Sequence, residues 1–279
     1  MGKKGKERKV AEYYHRGVVC HLIGFDLALP LDIEMIRPGE DEVGAAKRLL
    51  DRVFREYPRF FDAVVGDAIY LEGPFVRFCQ EHGKHVIAVL KENNPALLAD
   101  ARGVFDDEPP QVVFDGRRDI EYWDAEDFTS SSGIDTPLRV LHTLEHETKR
   151  ERIAGKWKTK TEVHTWWWAT TIPQAIMPAR QVWQAGHARW EIENRIFNAL
   201  VTYWSLNHCF HHKPTAILNF ILTLFIAFVF VQTFYHRNLK PPQRQRFTLI
   251  AIASEIYLGL IARTGWRAPW FDKLLRSPP

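Results

Sequence analysis

Residues 61–70 read FDAVVGDAIY. The run 61–66 is short, apolar and bounded by polar residues, which is the pattern of a buried strand. It ends in Gly66, and Asp67 follows at its carboxyl end, the edge of an α/β sheet where ligands gather. Gly66 leaves room for a close approach to the backbone. Taken alone, Asp67 is also an ordinary N-cap or turn aspartate. Working outward, 40–57 repeats Val43, Ala46, Leu49, Leu50, Val53 and Phe54 at helical spacing and stops at Pro58. Residues 73–82 read as a second helix with Pro74 in its first turn, and HVIAVL (85–90) as a buried strand ending at Lys91. Upstream, GVVCHLIGF (17–25) and LALPLDIEMI (27–36) read as a hairpin turning at Gly24–Asp26. Strand, strand, helix, strand, helix, strand predicts a mixed sheet with helices packed on it.

The 279 residues carry a net charge of +3 and are 46% hydrophobic, a globular composition without a global field to mark a partner. Positive charge is local instead, in MGKKGKERK (1–9), KRERIAGKWKTK (149–160) and RNLKPPQRQR (237–246). Such clusters are solvated loops or phosphate contacts. Cys20, Cys79 and Cys209 are odd in number and far apart, so neither a disulfide framework nor a zinc spacing can be built from them. That usage, with a charged N-terminus lacking an apolar signal region, leads to the expectation of a cytoplasmic protein.

The block 92–172 mixes acidic and proline-rich patches with two predicted strands, 139–147 and 162–172, around a basic loop at 149–160. It reads as a β-rich insertion. Helices resume at 174–185 and 187–206. The run 216–235 is apolar and long enough to span a bilayer; the preferred reading is a buried core helix, with a single membrane span as the alternative. Another apolar helix is expected over 247–263. His142 and His146 flank Glu145, and His208, Cys209, His211 and His212 cluster, but both groups read as surface or packing residues before metal ligands. Trp166-Trp167-Trp168 reads as strand core and rim.

In HARWEIENRIF (187–197), Arg189 and Glu193 are four apart and share one face of the expected helix, with Trp190, Phe197, Val201 and Trp204 forming an apolar stripe. The plain reading is an Arg–Glu surface pair worth a few tenths of a kcal/mol, about what exposed pairs contribute. The aromatic density around it points to partial burial, where a charged pair needs a reason.

The pattern R-W-x-I-E-N followed by F-N-x-L (189–200) and NHCFHH (207–212) resembles the C-terminal signature of insertion-sequence DDE transposases. LPLDIEMI (29–36), GEDEVGAAKRLL (39–50), YPRFFDAVVGDAIY (57–70) and HVIAVLKEN (85–93) resemble the same family in the same order, so the likeness covers roughly 13–235. It implies an RNase H-like fold, a mixed sheet flanked by helices, with a β-rich insertion before the C-terminal helices. The segments are then a basic start (1–12), a first part of the catalytic core (13–91), the insertion (92–172) and the C-terminal helices with the tail (173–279). It implies catalytic and metal-binding carboxylates at Asp67 and Glu193, two Mg²⁺ (or Mn²⁺) ions, and a DNA-contacting Arg189. Lys156, Lys158, Lys160, Arg244 and Arg246 are the candidate phosphate contacts in the basic clusters. The implied partners are element ends and target DNA, with a homodimer in the synaptic complex and no membrane, in a bacterial cytoplasm at the nucleoid.

Three departures accompany the likeness. The family's first aspartate lies on the first strand of the sheet, whereas MGKKGKERKVAEYYHRG contains no strand and no aspartate; Asp26 and Asp32 are the nearest substitutes and neither matches. The expectation is therefore an N-terminally truncated core with impaired activity. Gly186 stands where the signature has a tyrosine, and Leu200 or Val201 where it has a lysine. The competing expectations are a non-catalytic DNA-binding remnant and a single-span membrane protein.

Overall fold

The computed structural model describes residues 15–24, 26–116, 118–153 and 156–264. The chain divides into two compact units. The first holds the N-terminal residues to Cys20 and Leu31–Arg189; the second holds His21–Pro30 and the chain from Trp190 onward.

The chain opens with β1 (Gly17–Leu22) and β2 (Leu29–Met35), a two-stranded sheet of their own. The helix α1 (Glu42–Glu56) follows, capped by Asp41, whose side chain accepts from Gly44 N at 2.7 Å. Its polar face grips β2: Arg52 Nε meets Asp32 at 3.0 Å, and both Arg48 and Arg52 donate to Glu34. Burial pushes the Glu34 carboxyl up, but the two guanidiniums outweigh it and hold it below the usual carboxylate range. Asp32 is thus committed to a structural ion network. Val18 and Cys20 from β1 pack on the core of the first unit.

Next come β3 (Ala63–Gly66), a 3₁₀ turn at Ala68–Tyr70, α2 (Gly73–Glu81) and β4 (His85–Val89). β3 and β4 run parallel, with Ala63 beside His85 and Gly66 beside Ala88. Then follow α3 (Pro95–Asp106), β5 (Gln111–Phe114), β6 (Arg118–Phe128), β7 (Leu138–Ile153) and β8 (Lys156–Thr170). One six-stranded mixed sheet results, in the order β3-β4-β8-β7-β6-β5. β8 pairs antiparallel with β4, so the strands of 92–172 continue the sheet that β3 and β4 begin. β3 is the sheet's edge among the described residues.

Alternation along β4 explains why both faces are covered. Val86 and Ala88 join a core with Leu50, Phe54, Phe75, Leu97 and Phe105, from α1, α2 and α3. Ile87 and Val89 face the other way, onto Trp168, Val182 and Trp183, the last two from α4 (Ala179–Ala188). Arg139, 2% exposed, clamps Asp124 through two 2.7 Å bonds and donates to Met177 O at 2.6 Å. That charge-assisted pair fixes the crossing from β8 into α4.

In the second unit, a π-helical stretch at Ile192–Phe197 leads into α5 (Asn198–Trp204), followed by α6 (Pro214–Thr233), a second π-helical stretch at Phe234–Asn238, α7 (Pro241–Arg246) and α8 (Leu249–Thr264). α6 buries Ile221, Leu224, Phe225 and Phe228. The buried Gln232 on the same helix pairs with both backbone groups of Ala28, at 3.1 and 2.9 Å. Residues 214–238 are long and apolar enough to cross a membrane by length and composition.

Residues 92–137, read as a mixed stretch of the β-rich insertion, form α3, β5 and β6, and one local expectation is corrected. The basic stretch 149–160 is no loop: β7 and β8 stay paired out to Ile153 and Lys156. Lys149 faces Lys160 and Glu147 faces Glu162 directly across the ladder, and these like charges are offset by neighbours two residues along: Lys149 reaches Glu147 at 2.8 Å and Glu162 at 3.4 Å, and Lys160 reaches Glu162 at 2.7 Å.

Candidate active site

β3 delivers Asp67 to the carboxyl end of the sheet. The Asp67 backbone is extended (φ −76°, ψ 177°), and its side chain accepts from Ala68 N at 2.8 Å, opening the 3₁₀ turn. The carboxylate remains 43% exposed. A Cβ at Gly66 would lie 2.7 Å from the Tyr70 ring, so the close approach that glycine allows is used by Tyr70 itself. Tyr70 donates to Glu42 at 2.9 Å. Burial first, then Glu42 and Asp67, raise its phenol far above the ordinary range.

Parallel pairing brings a second group to this edge. β4 ends level with β3, and Lys91 Nζ sits 3.6 Å from Asp67 Oδ1. Asn93 ties the two strand ends together: its amide donates to Ala68 O at 2.7 Å, and its oxygen accepts from Lys91 N at 3.2 Å. Sequence reading stopped at Lys91 as a strand end. The signal that points to it is that two parallel strands present their following residues on one edge.

The late helix is not continuous as expected. α4 closes at Ala188, Arg189 and Trp190 form a turn, and Ile192–Phe197 is π-helical before α5 begins. A π turn places more residues per turn than the α wheel assumes, so the shared face of Arg189 and Glu193 does not follow from their spacing. Arg189 is half-buried and ends the first unit. Glu193 is exposed in the second unit, on the π-helical stretch. Next to it, Arg195 is fixed by Glu191 at 3.1 Å and by Asp26 O.

Gly186 has a packing reason. A Cβ there would lie 2.3 Å from Trp168 Nε1 and 2.7 Å from its Cε2. Trp168, 1% exposed, fills the space in which a side chain at 186 would stand. The last turn of α4 is also anchored electrostatically. Glu145, 1% exposed, binds His187 Nε2 at 2.6 Å and Arg118, which reaches Asp115 at 2.9 Å. His187 packs edge-on to Trp166 and Trp168. The histidines that flank Glu145 in sequence go elsewhere: His142 is stacked 3.8 Å from Trp167, and His146 lies 3.6 Å from Glu121.

Among the basic candidates, Lys158 and Lys160 are exposed on β8, and Lys160 Nζ reaches Glu162 at 2.7 Å. The Lys156 side chain lies outside the described residues. Trp157 between them is 70% exposed. In the second unit, Arg244 donates to His236 O at 3.4 Å, and Arg246 lies over Phe247 at 5.3 Å.

The sheet, flanked by helices, thus presents an exposed carboxylate and a lysine at its carboxyl edge, where open α/β sheets bind their ligands. The profile of one family, described as "Transposase DDE domain", matches residues 2–230. The chain belongs to that family, so its fold is the RNase H-like one and its general business is DNA transposition. A search of curated proteins finds no match. Members of the family use divalent metal ions and act on DNA.

Proposed function

We propose that this chain is the catalytic domain of an insertion-sequence transposase, built for metal-dependent strand cleavage and strand transfer at element ends. Asp67 and Glu193 are its metal-ligating catalytic carboxylates. The observation that carries this reading is the Asp67 carboxylate, held exposed at the carboxyl end of β3 inside a family-matched core. Mg²⁺, or Mn²⁺ in its place, takes hard oxygen ligands and keeps several waters, which exposed carboxylates such as Asp67 and Glu193 suit. When bound, such ions activate the attacking hydroxyl and stabilise the leaving oxygen. The protein's own share is positioning: Asn93 sets the strand ends, and Arg189, Lys158, Lys160, Arg244 and Arg246, with Lys156, supply phosphate contacts in a homodimeric synaptic complex. The work is cytoplasmic, at the nucleoid.

Asp32 does not join this pair, because Arg52 holds it in the ion network of β2 and α1. Iron-directed hydroxyl-radical cleavage tests both carboxylates as ligands. Cuts near both 67 and 193 are expected, and cuts near only one refute it. Mg²⁺-dependent nicking of element-end DNA should disappear in Glu193→Gln, and nicking that survives the substitution would refute Glu193 as a ligand.

The exposed β7–β8 arm, with Lys158, Lys160 and Trp157, favours a second reading as a non-catalytic DNA-binding remnant. Steep salt dependence without sequence preference is its signature. The paired Gln232 in α6 favours protein packing over a membrane span. Release from the membrane fraction by carbonate is the matching outcome.

A further inference from the structure

We propose that Lys91 is a positioning cation of the Asp67 site that alternates between two partners. Without a metal ion it neutralises Asp67; when a divalent ion takes that carboxylate, the ammonium moves to a phosphate oxygen of bound DNA. This rests on the reading of Asp67 as a metal ligand.

The geometry is specific to this edge. Lys91 Nζ lies 3.6 Å from Asp67 Oδ1, the oxygen that also accepts from Ala68 N. Both side chains are well exposed, 59% for Lys91 and 43% for Asp67, so an ion and a phosphate can reach them from solvent. The lysine's acidic sequence neighbour is turned to another cation: Glu92 lies 3.8 Å from Arg102. Asn93 holds the Lys91 backbone while its own amide grips Ala68 O. The Cα positions of the two charged residues are therefore stapled, and only the flexible four-carbon stem needs to swing.

Charge counting gives the alternation its direction. A carboxylate, a divalent ion and an ammonium together carry two excess positive charges. In the absence of DNA, Lys91 therefore opposes metal binding. A phosphodiester arriving beside the ion supplies negative charge that both cations share, and the opposition becomes cooperation. A lysine kept merely for stability would show no such reversal, and an exposed pair of this kind contributes little to stability anyway.

The test uses the full chain and Mn²⁺, with the free ion followed by its paramagnetic resonance signal, in the absence and presence of a short DNA duplex. In Lys91→Met, Mn²⁺ alone should bind up to about thirtyfold more tightly, the scale of a unit charge about 4 Å from a divalent ion in water. In Mn²⁺ the same variant should bind DNA more weakly, and the log–log salt slope should be shallower by about 0.9, the loss of one phosphate contact. Lys91→Arg should restore the DNA arm. Unchanged Mn²⁺ and DNA binding in Lys91→Met overturns the proposal, as does a change of the same sign in both. Asp67→Asn separates the two levels. If it leaves Mn²⁺ binding intact, the assignment of Asp67 as a ligand has failed; if it weakens Mn²⁺ binding while Lys91→Met is silent, only the role of Lys91 has failed.

Discussion

Substituting Gly186 by alanine pits helix propensity against packing. Alanine inside a helix is favoured over glycine by about 0.5–1 kcal/mol. The new Cβ would meet the Trp168 indole at 2.3, 2.7 and 2.8 Å, whereas carbon contacts settle at about 3.5–4.0 Å. The ring must retreat by roughly an ångström, and it is boxed in by Trp166 and by His187, the partner of Glu145. Overpacking of this kind costs about 1–3 kcal/mol, and a rigid, buried indole belongs at the upper end. The net expectation is a loss of about 2–2.5 kcal/mol. Urea unfolding followed by tryptophan fluorescence measures it, with Gly103→Ala on α3 as the control. Nothing lies within 4 Å of a Cβ at Gly103, so that change should stabilise by about 0.5–1 kcal/mol. Adding Trp168→Phe to Gly186→Ala should recover part of the loss as a coupling of about 1 kcal/mol. If Gly186→Ala proves as stabilising as Gly103→Ala, the packing explanation is wrong. Gly186→Tyr must fail for the same reason while Trp168 stays in place.

Glu145→Ala leaves the Arg118 guanidinium and His187 without their shared carboxylate, and a broken buried pair costs about 3–5 kcal/mol. Partial exposure of both partners and the retained Arg118–Asp115 contact reduce the expected loss to about 2–3 kcal/mol, read from the urea midpoint against the exposed pair Arg55–Asp51, where removal costs under about 0.5 kcal/mol. Gln232→Leu strands the backbone N–H and C=O of the buried Ala28 and should cost about 1–3 kcal/mol; hydrogen exchange at Ala28 should speed up in step. His142, half-buried between Trp123 and Trp167, is lowered to about 4 by partial burial and then by Arg102. Its folded value lies below its unfolded one, so the stability of its neutral form is present above about pH 6.5 and is lost as pH falls towards 4. His142→Gln should flatten the pH dependence in that window; a profile identical to the unsubstituted protein's refutes the assignment. Iodoacetamide should modify the exposed Cys209 and spare Cys20 and Cys79, whose thiols burial pushes up to about 12; equal labelling of all three by mass would contradict this burial.

The local parts of the fold were legible because their information is local. The 3.6-residue repeat of α1, the apolar runs of β3 and β4 and the proline in the first turn of α2 each lie within a dozen residues, and Asp67 fell at a strand end by simple adjacency. The family signature was legible too, in the types and spacing of residues 189–200, though not the π-helical backbone on which Glu193 stands. Tertiary structure decided what depends on distant partners. β8 becomes an interior strand by pairing with β4, some eighty residues earlier, and the arm at 149–160 is a strand because β7 and β8 pair residue by residue along it, its facing lysines offset by Glu147 and Glu162, where hydrophobic alternation is silent. Gly186 is glycine because of Trp168, and Glu145 can be buried because Arg118 and His187 arrive from two other elements. Lys91 acquires a role only when parallel pairing sets it beside Asp67. A chain's own periodicity dictates its elements, while the meeting of side chains from different elements is dictated by packing and charge compensation, which no single segment contains.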